Sequence, residues 1–201
     1  MLIAGLTGGL ACGKSFVAEE MRRLGAHIVE ADELGHEVLM PEGEAYAATV
    51  EAFGPEVLNF DGTIDRSRLA RIVFQEPAAL AKLNAIVHPA VHNRAQERFR
   101  QIAVEDPHAV IVYVAAILIE TGAWRDFDKL VLVDCSRETQ TERALTRPNA
   151  TPADVEGRLS RQLPAEKKRP HADYIIVTDG SKEETLRQTK MVFEDLRRLA
   201  S

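Results

Sequence analysis

Five runs of consecutive apolar residues, rich in β-branched side chains, are spaced widely along the chain: MLIAGLT at the start, AHIVEA at 26–31, HAVIVYVAAILI at 108–119, KLVLVDC at 129–135 and ADYIIVTD at 172–179. Runs that are apolar at nearly every position, not at alternate ones, suit strands buried on both faces, the situation of a parallel sheet covered by helices. Between the runs the period changes. After Lys14 the apolar residues Val17, Met21 and Leu24 fall at i, i+4 and i+7, with Glu19, Glu20, Arg22 and Arg23 off the stripe, which predicts a surface helix stopped at Gly25. Near the C-terminus Ser181 and Glu184 fit a capping box, and Arg197 and Arg198 close the same helix where cations favour its dipole. Strands alternating with helices predict an α/β fold of three layers around a five-stranded parallel sheet.

Two excursions interrupt the alternation. The roughly 75 residues between the second run and the third far exceed the dozen or so that a crossover needs. They carry short helical patterns of their own: Leu69, Ile72 and Val73 after an Asp65 cap, then Leu80 and Leu83 after a Pro77 start. Residues 32–105 are therefore expected to form an inserted helical domain. The second excursion, RALTRPNATPADVEGRLSRQLPAEKKRPH, is cationic and punctuated by proline, and residues 138–171 are expected as a helical flap. The remainder, 1–31, 106–137 and 172–201, makes the core.

The turn after the first run carries the clearest chemistry. Gly8-x-x-x-x-Gly13-Lys14-Ser15 matches G-x-x-x-x-G-K-[ST], placed after a strand and at the start of a helix. Glycines let successive N–H groups turn toward phosphate oxygens, and the helix N-terminus adds partial positive charge. Lys14 can then reach the β- and γ-phosphates and Ser15 can ligate Mg²⁺. The segment from Gly8 through Gly9, Leu10, Ala11, Cys12, Gly13, Lys14 and Ser15 to Phe16 is thus the expected nucleoside triphosphate site. Cys12, at a helix N-terminus, is either an oxidisable thiol or simply a small side chain in the loop.

Composition narrows the rest. A chain of 201 residues with 45% hydrophobic and 28% charged residues reads as one soluble globular domain. No apolar run is long enough for a membrane span, and no export signal opens the chain, so the cytoplasm is expected. Two cysteines, Cys12 and Cys135, make no disulfide framework and no metal-ligand spacing. A net charge of −6 gives no general attraction to nucleic acid or acidic lipid. A monomer or small homo-oligomer with a small-molecule substrate is expected.

A phosphate loop serves kinases, GTPases and motor ATPases alike. Asp134 ends an apolar run as a Walker-B acid would, but its run leads straight into the cationic flap and no guanine-reading N-K-x-D is present, so it reads as a structural strand-end residue. A small-molecule kinase needs a carboxylate near the acceptor hydroxyl, an acceptor pocket and cations over the transferred group. Asp32, just past the second run and expected on a strand beside the one bearing the loop, is either that carboxylate or the cap of the helix beginning ELGHEVL. In the flap, Arg143 and Arg147 are four apart and predicted to share a helix face, as are Arg158 and Gln162 after a Thr151-Pro152 start. Arginine forks suit bidentate capture of phosphate; the alternative is a solvated basic face. Two rivals stay open: a kinase for another small acceptor such as a nucleoside monophosphate or a sugar acid, and a slow nucleotide switch acting through a partner.

Seven blocks in order, IAGLTGGLACGKS, VEADELGHEVL, FDGTIDRSRLARIVF, LNAIVHPAV, ILIETGAW, VLVDCSRETQTERALTR and RLSRQLPAEKKRPHADYII, make the chain resemble the dephospho-coenzyme A kinase family along nearly its whole length. The resemblance implies a P-loop kinase fold of the nucleoside-monophosphate-kinase-like group. It also implies transfer of the γ-phosphoryl of ATP to the ribose 3′-hydroxyl of dephospho-coenzyme A, with Mg²⁺ as the metal. By it Asp32, Lys14 and Arg143 are catalytic, Arg147 joins the loop in holding ATP, and Asp32, His36, His88, Glu120, Arg158 and Gln162 face the acceptor. The insertion then binds the acceptor and the flap is a lid. For Glu120, a plain acid at a helix N-terminus is an equal reading. Four positions depart from the family pattern: Glu30 for the first aspartate of DAD, His36 for an arginine, Ala116 for the proline of PLLFE, and TDGS at 178–181 for DNSG.

Overall fold

The computed structural model describes residues 1–148 and 150–201; Asn149, in the expected flap, lies outside the described residues. Five strands, β1 (Leu2–Gly8), β2 (His27–Glu30), β3 (Val110–Val114), β4 (Lys129–Asp134) and β5 (Tyr174–Val177), form one sheet in the order β2-β3-β1-β4-β5. β1 is central and runs parallel to both neighbours, with Leu6 opposite Val114 on one side and Val131 on the other. β4 and β5 are parallel as well. The connections are helical, as parallel strands require: α1 (Lys14–Arg23) follows β1, α2 (Ala31–Glu37) follows β2, and the helix Lys182–Ala200 (α10) closes the chain.

Each of the five apolar runs holds a strand, but the third run is strand only through Val114. Ala115 still donates to the carbonyl of Leu6, and past it the chain leaves the sheet and turns into α6 (Leu118–Thr121). Leu6, Val17, Met21, Val112, Val131, Val133, Ile176 and Leu196 form a dry core between sheet and helices. Burying one such side chain is worth about 1.5–3 kcal/mol. Half of the expected capping box forms: Ser181 Oγ accepts from the Glu184 amide at 3.2 Å, while the Glu184 carboxylate accepts from Arg187.

The chain divides into two compact units, residues 1–29 with 102–201 and residues 30–101. The second contains α2, α3 (Tyr46–Phe53), α4 (Arg66–Gln75) and most of α5 (Pro77–Glu105). Asp65 caps α4 by accepting from the Arg68 amide at 2.9 Å, and Pro77 begins α5. Val57, Ile64, Leu69 and Val73 form a core of this unit. In place of a series of short helices, α5 is one helix of 29 residues that runs through Pro89. Proline removes one i to i−4 bond there, a loss the turns on either side withstand within so long a helix.

The flap elements belong to the first unit: α7 (Arg137–Leu145), α8 (Pro152–Leu159) and α9 (Ala165–Lys168). Among the described residues no helix is long and apolar enough to cross a membrane.

Candidate active site

The loop from Gly8 to Gly13 joins the C-terminal end of the central strand to α1. A Cβ on Gly8 would stand 2.3 Å from the Val133 carbonyl oxygen, so the loop can leave the sheet this closely only with glycine. Gly13, with φ of 86°, and Ala11, with φ of 57°, are both left-handed, which turns the intervening amides. α1 then starts with no side-chain cap and no acid in its first turn. Its first amides and its positive dipole end are open to an anion. Lys14 Nζ donates to the carbonyls of Gly8 and Gly9 at 2.8 and 3.0 Å, lying across the loop, and Ser15 is exposed at the helix start.

Thr178 and Gln162 hold the backbone of the loop from outside, and Arg143 holds Thr178. Thr178, 4% exposed just after β5, donates its hydroxyl to the Cys12 carbonyl at 2.9 Å. Arg143 of α7 grips the same residue, donating Nη1 to its hydroxyl at 3.0 Å and Nη2 to its carbonyl at 2.6 Å. Gln162 accepts from the Leu10 amide at 2.8 Å. Thr178 was visible in the sequence only as part of a departure from the family pattern; its role as the tie between flap arginine and loop belongs to tertiary contact. Next to it, burial disfavours the charge of Asp179, but the Thr139 hydroxyl and the Ser136 amide outweigh burial and hold its carboxyl below the usual range.

Two expected pairings on helix faces do not form. α7 ends at Leu145, so Arg147 lies beyond it, exposed, and not on a shared face with Arg143. Pro148 follows, and the residue before a proline is driven out of the helical region. α8 likewise ends at Leu159, before Gln162, whose side chain turns to the loop while Arg158 stays exposed on the helix. Pro164 again makes continuation unfavourable.

Glu120 lies in the first turn of α6. Its Oε1 stands 2.7 Å from Nζ of Lys168, whose side chain is 2% exposed, and accepts from the Leu163 amide at 3.2 Å. Oε2 is buried with no hydrogen-bond partner. Glu120 is thereby engaged with the end of the flap, and Lys168, which periodicity could not single out, is its partner. Asp134 is buried, with Oδ2 held by Arg169 Nε at 2.8 Å and Nη2 at 2.7 Å, as suits a structural strand-end acid.

In the second unit, α2 begins at Ala31, with Glu30 at the N-cap and no side-chain cap bond. Asp32 is exposed inside the first turn and is therefore not the cap of this helix. Nor does its strand neighbour the loop-bearing strand: β3 lies between β2 and β1, because the chain returns from the insertion into the place between them. His36 is exposed on α2 and His88 is exposed beside Pro89 within α5.

A parallel sheet whose central strand ends in a glycine loop feeding an uncapped helix, with an arginine from a helical flap tied to that loop through Thr178, defines a P-loop kinase. The family model of dephospho-CoA kinase matches residues 2–184. The dephospho-CoA kinase of Geobacter metallireducens is 43% identical over 195 residues, which cover 97% of this chain and 96% of that protein. A crystal structure from Thermus thermophilus, at 30% identity, covers 97% of each chain with a TM-score of 0.82. The dephospho-CoA kinase from Campylobacter jejuni, at 23% identity and 96% of each chain, shares the fold with a TM-score of 0.68. The chain belongs to the dephospho-CoA kinase family.

Proposed function

We propose that the protein catalyses transfer of the γ-phosphoryl group of ATP to the ribose 3′-hydroxyl of dephospho-coenzyme A, giving coenzyme A and ADP. The observation that carries this reading is the Arg143–Thr178–Cys12 tie, which holds a flap cation beside a phosphate-binding loop in a chain of this family. The loop amides and the uncapped end of α1 take the triphosphate. Lys14, now resting on the Gly8 and Gly9 carbonyls, moves to the β- and γ-phosphate oxygens. Arg143, with Arg147 nearby in sequence, offsets the charge that develops on the transferred group.

Among the described residues no group of three acidic, histidine or cysteine side chains could hold a metal. The Ser15 hydroxyl, exposed at the start of α1, is the residue that would help hold a Mg²⁺ ion arriving with the nucleotide. Bound so, it would neutralise phosphate charge. Asp32, exposed after β2, accepts the proton of the acceptor hydroxyl. Residues 32–105, with His36 and His88, serve the acceptor, as does Arg158, and residues 138–171 act as the lid that excludes water from the transfer.

ADP release at fixed Mg-ATP, with and without dephospho-coenzyme A, tests the reading. Acceptor-dependent ADP matched by a product one phosphoryl heavier is expected. ADP release indifferent to that acceptor, with no such product, would overturn it.

A further inference from the structure

Cys12 of the phosphate loop and Cys135 at the end of β4 are far apart in sequence, yet their sulfurs lie 3.3 Å apart, both buried. We propose that this pair is an oxidative modification site: a hydroperoxide converts it to an intramolecular disulfide that pulls the phosphate loop toward β4 and releases nucleotide.

Forming the bond needs the sulfurs to close by about 1.2 Å to the ~2.05 Å of a disulfide. The surroundings favour one thiol as nucleophile. The Cys135 S–H donates to Cys12, Gln140 Nε2 lies 3.2 Å from the Cys12 sulfur, and Lys14 adds positive charge nearby. The Cys135 S–H and the Lys14 charge, against burial and the Asp134 charge, bring the Cys12 thiol down to about 7, while the contact with Cys12 and burial raise Cys135. A cavity of about 300 Å³, room for several water-sized molecules, has Cys135, Gln140 and Gly9 in its wall, and the Cys12 sulfur lies one contact behind that wall, 3.3 Å from Cys135 Sγ and 3.2 Å from Gln140 Nε2.

The chemistry balances. The Cys12 thiolate attacks one peroxide oxygen, the O–O bond breaks, and hydroxide (or alkoxide) leaves from a sulfenic acid. The Cys135 sulfur then attacks the Cys12 sulfur, the S–O bond breaks, and the departing hydroxide takes the Cys135 proton as water. Two thiols lose two electrons and the peroxide gains them. The functional consequence follows from position. Cys12 stands between left-handed Ala11 and left-handed Gly13, and its carbonyl is the one Thr178 holds, so a shift of its Cα turns the amides on both sides. This consequence rests on the proposed role of the loop in holding ATP phosphates; the cross-link itself does not.

The test uses the full chain, freed of reductant, exposed to hydrogen peroxide and then denatured and alkylated with N-ethylmaleimide. Expected are a monomer lighter by two hydrogens, no alkylation, and a single peptide pair joining Cys12 to Cys135. Affinity for a fluorescent ATP analogue falls tenfold or more and returns with dithiothreitol. Cys135→Ser binds the analogue normally and keeps that affinity through the treatment. Two alkylatable thiols after peroxide, or a disulfide only between molecules, would overturn the site. A cross-linked protein with full affinity, or a Cys135→Ser variant that loses affinity as the wild type does, would overturn the switch. If ATP does not bind even to the reduced protein, the proposed nucleotide role fails, and the mass and peptide readouts still decide the cross-link.

Discussion

Arg143 donates both Nη atoms to Thr178, 3.0 Å to its hydroxyl and 2.6 Å to its carbonyl, and the same hydroxyl donates to the Cys12 carbonyl. A flap arginine is thus tied by one intermediary to the phosphate loop. Thr178→Val keeps the shape and removes the hydroxyl, leaving a guanidinium donor and a buried carbonyl each short of a partner, at about 1–3 kcal/mol. The expected outcome is a roughly tenfold lower kcat/KM for ATP. Arg143→Ala should lower kcat by about 10²-fold or more, and Arg143→Lys should not restore it, since an ammonium cannot span the two acceptors. Steady-state kinetics on the single and double variants check this. The double variant should lose less than the product of the two effects, because the residues act as one unit.

Asp32 is exposed and makes no cap bond, so Asp32→Asn should leave folding intact. A fall in kcat of about 10²–10⁴-fold with ATP affinity unchanged is expected for a lost general base. Near-normal turnover with dephospho-coenzyme A would remove Asp32 from the mechanism.

Glu120 and Lys168 form a buried ion pair at 2.7 Å. Glu120→Ala strands a buried ammonium and should cost about 3–5 kcal/mol in urea unfolding. Replacing both, as Glu120→Leu with Lys168→Met, should recover most of that loss. If the single change proves silent, the pair is not holding the flap to α6.

Cys12 titrates more readily in the folded chain, down to about 7, because the Cys135 thiol donates to its sulfur. A group with a lowered folded value adds stability above its unfolded value of 9.0, and that contribution is lost as pH falls through 7. Under reducing conditions the stability gap between wild type and Cys12→Ser should therefore widen from pH 7 to pH 9, by about 2 kcal/mol. Above that range Cys135, held protonated in the fold, works the other way. Urea midpoints at the two pH values measure the change; an unaltered gap would contradict the pairing.

The sequence by itself determined the strands, the sheet's parallel character, the glycine loop and the caps at Asp65 and Ser181, because each follows from side-chain period or from backbone chemistry within a few residues. The loop Gly8-x-x-x-x-Gly13-Lys14-Ser15 could be read directly, since its function resides in local backbone geometry. The tertiary structure alone decided that β3 separates β2 from β1, that Gln162 turns to the loop and Arg143 to Thr178, that Lys168 meets Glu120, and that Cys12 meets Cys135. Strand order and contacts between residues 35 to 152 apart depend on which side the inserted segments return, and no local period records that. Prolines at 148 and 164 were visible throughout, yet only the finished turns showed that they end α7 and α8 early enough to release Arg147 and Gln162 from the helix faces their spacing suggested.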